Sequence, residues 1–324
     1  MKTTRLATVL AITTGTVIAI AGCTPVAETT PGETAAASTF PEKDIRLIIQ
    51  ANPGGGSDLS SRALATELEK LLGVSVIPEN MPGASGALAM EYVAQQPADG
   101  HVIGFGPVEI AMLNTTQNAN VLPENFDLIG QIMLAPGVIS VGVDSPYETL
   151  EDLIEASKDG AVTVANSGTG SIWEAATLGI AEETGAKFTP VSYDGGATAV
   201  SAAASGEAVA AVSGAGEAVA QAGAVRVLAV LNDEAYFNLP DVPTAEEAIG
   251  TSLEYGGWGG IYAPAGLPDD VRAILEKAVA DAVETDSYAD FQEKSGNLVV
   301  YRDSEEFTGF VNDQFDLFKS LLGS

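Results

Sequence analysis

Cysteine and histidine are almost missing from this chain: Cys23 and His101 are single residues among 324. One cysteine cannot close an internal disulfide, and a lone histidine lacks the companions that a zinc site needs. His101 follows Asp99-Gly100 at the start of a predicted strand. That is the end of the sheet away from the Gly-rich loops described below, so it reads as structural rather than catalytic. Basic residues are also scarce, with 14 Lys and Arg against 44 Asp and Glu, a formal net charge of −30. Such a balance argues against nucleic acid as a partner and against charge-driven binding to anionic lipid. Most of the carboxylates read as solvated surface.

Enzyme fingerprints are equally short of residues. Gly54-x-Gly56 is followed by Leu59, and Gly168-x-Gly170 by Trp173, where a dinucleotide site requires a third glycine. No phosphate-binding G-x-x-x-x-G-K-[ST] is present. Ser85 misses a hydrolase nucleophile elbow because Ala87 stands where glycine is needed. No acids fall at calcium-loop spacing. Neither a cofactor nor a metal is expected.

The N-terminus holds the one long apolar run. Lys2 and Arg5 precede Leu6 to Ile20, which carries no charge, and Ile20-Ala21-Gly22-Cys23 follows at once. The run is too short and wrongly flanked for an ordinary membrane span and has the form of a secretory signal. Small residues immediately before the cysteine match the bacterial lipobox. Residues 1–22 therefore read as a lipoprotein signal peptide and Cys23 as the lipidated first residue of the mature chain. Thr24 to Thr39 lacks large periodic apolar residues and reads as a disordered tether, 23–39, spanning on the order of 20 Å. The expected location is extracytoplasmic, held by the lipid bilayer at the outer face of the cytoplasmic membrane.

From Phe40 onward the pattern alternates between strand and helix. Ile45 to Gln50, Val74 to Ile77 and His101 to Phe105 are predicted strands, with helices after Asp58 and over Ala87 to Gln95. The same grammar recurs: Val162 to Ala165, Phe188 to Ser192, Val209 to Val212 and Val225 to Leu231 as strands, Ile172 to Glu183 and Thr198 to Ser205 as helices. Two βαβ sheets predict two α/β domains, each a mostly parallel sheet flanked by helices. Val271 to Ala282 and Asp303 to Leu322 add amphipathic helices. Crossings between domains are placed near Val138 to Val143 and Leu253 to Ile261, with Trp258 packing at the second.

Three Gly-rich turns join a strand to a helix start: Asn52 to Asp58, Ser167 to Ser171 and Tyr193 to Thr198. Ligands of open α/β sheets bind beyond the carboxyl ends of the strands. Helix N-termini there present unpaired N–H groups and partial positive charge. None of the three turns contains Lys or Arg, so the pattern points to an anion held by backbone. The candidate ligand-binding residues are Asn52, Gly54, Gly55, Gly56, Ser57 and Asp58; Ser167, Gly168, Thr169, Gly170 and Ser171; and Tyr193, Gly195, Gly196, Ala197 and Thr198. Failing these, Gly106 to Glu109 and Ser213 to Glu217 are the next segments to consider.

The chain from Phe40 to about Ala282 resembles the tripartite tricarboxylate transporter substrate-binding family, also called Bug receptors. The resemblance is carried by Phe40-Pro41-x-Lys43-x-Ile45-Arg46-Leu47-Ile48, Pro53-Gly54-Gly55-Gly56-Ser57-Asp58, Glu79-Asn80-Met81-Pro82-Gly83-Ala84-Ser85-Gly86 and Ala98-Asp99-Gly100. In the second half it continues through Asn166-Ser167-Gly168-x-Gly170-Ser171, Tyr193-x-Gly195-Gly196, Leu239-Pro240-Asp241-Val242-Pro243-Thr244 and Ala263-Pro264-Ala265-Gly266. It implies a two-domain periplasmic-binding-protein-like receptor, a type II Venus flytrap. Domain 1 would be 40–142 plus 255–324 and domain 2 143–254. A ligand carboxylate would be held by main-chain groups and waters between Ala51 to Asp58 and Tyr193 to Thr198. Departures from the family pattern are Gln50-Ala51 for Pro-Phe, Asp194 for Lys, Thr198 for Pro, and Gly106-Pro107-Val108-Glu109 for a Ser/Thr-rich stretch.

The implied function is capture of a small carboxylate, a di- or tricarboxylate or related organic acid, by a monomeric receptor that delivers it to the membrane permease subunits of a tripartite tricarboxylate-type transporter. A sensing subunit of a membrane signalling protein would share the fold, and a secreted α/β enzyme acting on carboxylated compounds is the rival of another class. Acylation of Cys23 gives the first expectation. Cys23→Ser should release the protein into the medium or leave its precursor unprocessed, as fractionation and mass measurement would show. Unchanged, salt-resistant membrane retention would refute it.

Overall fold

The computed structural model describes residues 39–54 and 56–323. Nine strands run β1 Ile45–Ile49, β2 Val76–Asn80, β3 Val102–Pro107, β4 Phe126–Gly142, β5 Val162–Asn166, β6 Phe188–Ser192, β7 Ala210–Gly214, β8 Val225–Leu231 and β9 Gly256–Pro264. The helices are α1 Gly56–Leu72, α2 Ala87–Ala94, α3 Leu113–Gln117, α4 Leu150–Asp159, α5 Ile172–Thr184, α6 Gly196–Ser205, α7 Ala215–Val219, α8 Ala245–Ile249, α9 Asp269–Val283, α10 Asp286–Lys294 and α11 Ser304–Leu322.

The two expected βαβ sets are present, but they are joined. All nine strands belong to one sheet in the order β2-β1-β3-β9-β4-β7-β5-β6, with β8 also on β4. β1, β2 and β3 are mutually parallel, as are β5, β6 and β7. The link is β4, 17 residues long. Its first part, Phe126 to Pro136, pairs antiparallel with β9; its last part, Gly137 to Gly142, pairs antiparallel with β8, and Gly137 to Val141 also with β7. Thus β8 and then β9 run back along β4, one after the other. Irregularities at Leu128/Gly130, Gln131/Met133 and Ile139/Ser140 break its register, and such bulges bend a strand and increase its twist.

The hand-over falls between Pro136, paired with Gly256, and Gly137, paired with both Gly214 and Leu231. Pro136 has no N–H to give, and the Gly137 N–H donates to Tyr255 O at 3.0 Å. A Cβ on Gly137 would meet Tyr255 O at 2.5 Å and the Trp173 ring at 2.8 Å. Glycine is what lets three backbones and an indole converge there.

Hydrophobic packing lies on both faces. On one, Ile45, Leu47 and Ile49 meet Leu64 and Leu68 of α1 and Val271, Leu275 and Val279 of α9. On the other, a larger cluster runs from Met90, Trp258, Phe307 and Phe318 through to Trp173, Ile180 and Val164, so the core is continuous across both parts of the sheet. Trp258 is buried, edge-on to Phe307 and Phe310 at 5.7 and 5.4 Å. It is a core residue beneath α11. His101 lies against Phe40 and within 3.3 Å of Asp99, at the amino end of β3.

Gly260 tests how tight this packing is. Its Cβ would meet Phe307 at 2.5 Å and the Gly130 carbonyl at 2.6 Å, and the latter is backbone that cannot step aside. Gly260→Ala should cost about 1–3 kcal/mol, read as a lower denaturation midpoint with an unchanged slope.

Candidate functional site

The parallel strands of the two parts of the sheet point their carboxyl ends at one another. β3 ends at Pro107, level through Gly259 with Met133 of β4; β7 ends at Gly214, level with Gly137. Four residues of β4 separate the two levels, on the order of 13 Å. The loops after β1, β2 and β3 and those after β5, β6 and β7 therefore face the same gap beside the hand-over point. Gly170 abuts Thr116 of α3 across it: a Cβ there would lie 3.2 Å from Thr116 Cγ2.

Asn52 to Asp58 follows β1, with Gly56, Ser57 and Asp58 already in α1. Gly55 lies outside the described residues. Asp58 is buried and fully engaged: Oδ2 accepts from the Gly54 N–H at 2.8 Å, and Oδ1 from Asn80 Nδ2 and Arg62 Nε, both at 2.8 Å. Burial pushes its carboxyl up, but the Gly54, Asn80 and Arg62 donors together hold it below the usual aspartate value. Asn80 Nδ2 also donates to Ala51 O, and Gln50 Nε2 to Ser57 Oγ. Asp58 is therefore a fastener of the loop, with both oxygens engaged within the protein, and Arg62 is the cation it consumes.

The structure brings the other two loops together. Ser167 to Ser171 follows β5 and Tyr193 to Thr198 follows β6. Tyr193 N–H donates to Asn166 O at 2.9 Å, and the hydroxyls of Thr169 and Ser192 are 2.9 Å apart. Most amides in the first are already used. Gly168 N–H donates to Asn166 Oδ1, Gly170 N–H to Glu174 Oε2 at 2.6 Å, and Ser171 N–H to Gly168 O; Ser171 caps α5 through its hydroxyl. Fully buried Asn166 keeps an Nδ2 with no protein partner.

The start of α6 differs. Its cap is Gly195, with φ +105° and no side chain to bond the first turn. Among the described residues nothing accepts from the N–H groups of Gly196, Ala197 and Thr198, the orphan donors of a helix start. The Thr198 hydroxyl donates to Gly195 O. Space around Gly195 is open within 4 Å of a built Cβ. The Tyr193 hydroxyl is turned to Glu207; burial and that acid both push it up. Asp194 is exposed.

Two acids border the gap. Glu109, in the turn after β3, and Glu217, in α7 after β7, are both partly buried. Burial pushes both carboxyls up, and the only hydrogen bond opposing this is from each residue's own N–H. Glu217 was foreshadowed by a lone acid in Ser213-Gly-Ala-Gly-Glu217, another strand followed by small residues. Thr116 carried no signal. Recesses on the surface also lie elsewhere; the one between α4, α5 and α8 is lined by Glu151, Glu155 and Glu183 with Lys158, a poor home for an anion.

Residues 60–323 match the family model described as tripartite tricarboxylate transporter family receptor. The chain belongs to this receptor family. A UPF0065 protein of Bordetella pertussis is 30% identical to the receptor over 288 residues, 86% of this chain and 88% of its own. A TctC solute binding protein from Polaromonas, solved without ligand, shares 28% identity and superposes with a TM-score of 0.82 over 88% of this chain and 99% of its own. An R. palustris protein solved with adipate is 25% identical, with a TM-score of 0.69 over 88% and 98%. The receptor thus has the α/β fold of periplasmic solute-binding proteins. The loop before Leu59 precedes the stretch matched by the family model.

Asp58 generates a pH prediction. A carboxyl held below its unfolded value contributes stability above that value and loses it as pH falls through the folded one. Stability should therefore decline as pH drops below about 4. Asp58→Asn should flatten this acid limb while lowering stability at neutral pH by roughly 1.5–3 kcal/mol, measured by urea unfolding at several pH values. An acid limb unchanged in the variant would contradict the assignment.

Proposed function

We propose that this receptor captures a small carboxylate in the gap between 40–142 plus 255–324 and 143–254, closing about the strands that pass from one to the other. It would then deliver the ligand to the membrane permease subunits of a tripartite tricarboxylate-type transporter, while lipidated Cys23 keeps it at the outer face of the membrane. The observation that carries the reading is the uncapped first turn of α6, whose three donors open beside Asn166 in a gap with no unpaired Lys or Arg among the described residues. A carboxylate there would take charge-assisted hydrogen bonds and meet the positive end of α6. The adipate in a relative supports the ligand class.

A thermal-shift and calorimetric panel of small carboxylates tests this. A true ligand at a hundredfold excess over its Kd should stabilise the receptor by about 2.7 kcal/mol, with little loss of affinity at higher salt. Gly195→Val should abolish that stabilisation. A side chain at Gly195, whose φ +105° and ψ +165° belong to a region that only glycine enters readily, costs the unliganded protein roughly 1–3 kcal/mol, while the added methyls fill the open space at the α6 start. Wild-type affinity in the folded variant would place the ligand elsewhere.

A further inference from the structure

Glu217 occupies a nest that glycine makes possible. A Cβ on Gly196 would lie 2.8 Å from Glu217 Oε1 and 3.1 Å from Cδ, and the same carboxyl overhangs Gly214. Trp173 closes the third side, 3.4 Å from where a Gly214 Cβ would be. Gly196 and Gly214 are both buried. So the carboxyl sits against Gly196, the first of the three residues of α6 whose N–H groups lack an acceptor, yet bonds to none of them, and among the described residues no Lys or Arg pairs with it. Glu109 adds a second acid from the facing turn. An anionic ligand seated on α6 would find this carboxyl beside it, and a second carboxylate on the ligand would face acids with no cation between.

We infer that Glu217 accepts an ammonium group carried on the carbon next to the ligand's carboxylate, so that the receptor selects α-amino carboxylates over plain di- and tricarboxylates. The inference rests on the carboxylate reading above and adds the second charge. The proximity of Gly196 to Glu217 dictates the short spacing: donors for the carboxylate and the acceptor for the ammonium stand side by side, matching two groups on neighbouring atoms. Burial supports it, since a carboxyl held there with no cation loses solvation that an ammonium restores.

The test compares matched compounds on the purified receptor by calorimetry: succinate against aspartate, glutarate against glutamate, propionate against alanine and β-alanine, with ethylamine as an amine lacking a carboxylate. At least one α-amino acid should bind tenfold or more tightly than its deaminated partner, and alanine more tightly than β-alanine if that pair binds at all. Glu217→Gln should erase the preference while leaving the unliganded melting temperature within a few degrees. Gly196→Ala, which displaces the same carboxyl, should reduce it independently. Deaminated acids binding as well as their amino partners, or an unchanged ratio in Glu217→Gln, would overturn the inference and leave the carboxylate reading standing. Ethylamine binding as tightly as alanine would instead overturn the carboxylate reading. Absence of binding by every compound would overturn both.

Discussion

Both parts of the receptor depend on the hydrogen-bond ladder of β4. A single 17-residue strand serves β9 at one end and β7 and β8 at the other, so neither βαβ set is a closed unit. The change of partners at Pro136 and Gly137 orients everything downstream. Because β7 runs antiparallel to β4 while β3 runs with it, the two parallel sets end facing each other. The site is thus a product of strand direction before it is a product of any side chain. The segment Leu298 to Arg302 reinforces this region: it bridges to Gln131 and Leu134, and Arg302 reaches both Gln131 and Glu254 while lying over Phe310 at 4.1 Å.

What glycine-rich turns do in this fold is not uniform. The turns before α1 and α5 use amides internally, that of Gly54 on Asp58 at one and those of Gly168 and Gly170 on Asn166 and Glu174 at the other. At the turn before α6, nothing among the described residues accepts from Gly196, Ala197 and Thr198. A shared strand–turn–helix pattern therefore hides a division between loops that are locked and one that is available. The locked loops still contribute shape, since Gly170 against Thr116 narrows the gap.

Much of this was legible in the sequence. The parallel strands and the helices α1, α2, α5, α6, α9 and α11 follow from period and from glycine stops, because each buries one face. β4 was illegible as a strand: buried on both faces, it shows no alternation, and Gly130, Pro136 and Gly137 read as breakers. Two sheets were therefore expected where one exists. At the site, the turns were found because small residues before a helix are a local signal. Their internal hydrogen bonding was not, since the tie of Asp58 to Asn80 spans 22 positions and Tyr193's hydroxyl turns to Glu207, neither of which any spacing rule encodes.

The placement of the cations has a kinetic consequence. Arg46, Arg62, Lys70, Arg272 and Arg302 are each tied to a carboxylate at 2.6–2.9 Å, on a chain whose formal charge is −30. A dianion approaching such a surface meets a repulsive field once it comes within about a Debye length, and that length grows as salt is removed, so its capture is slowed most in dilute media. A molecule with no net charge crosses the same field as a dipole and arrives at the ordinary diffusional frequency. The outer surface would thereby sort solutes by the rate at which they reach the gap, before any loop has touched them.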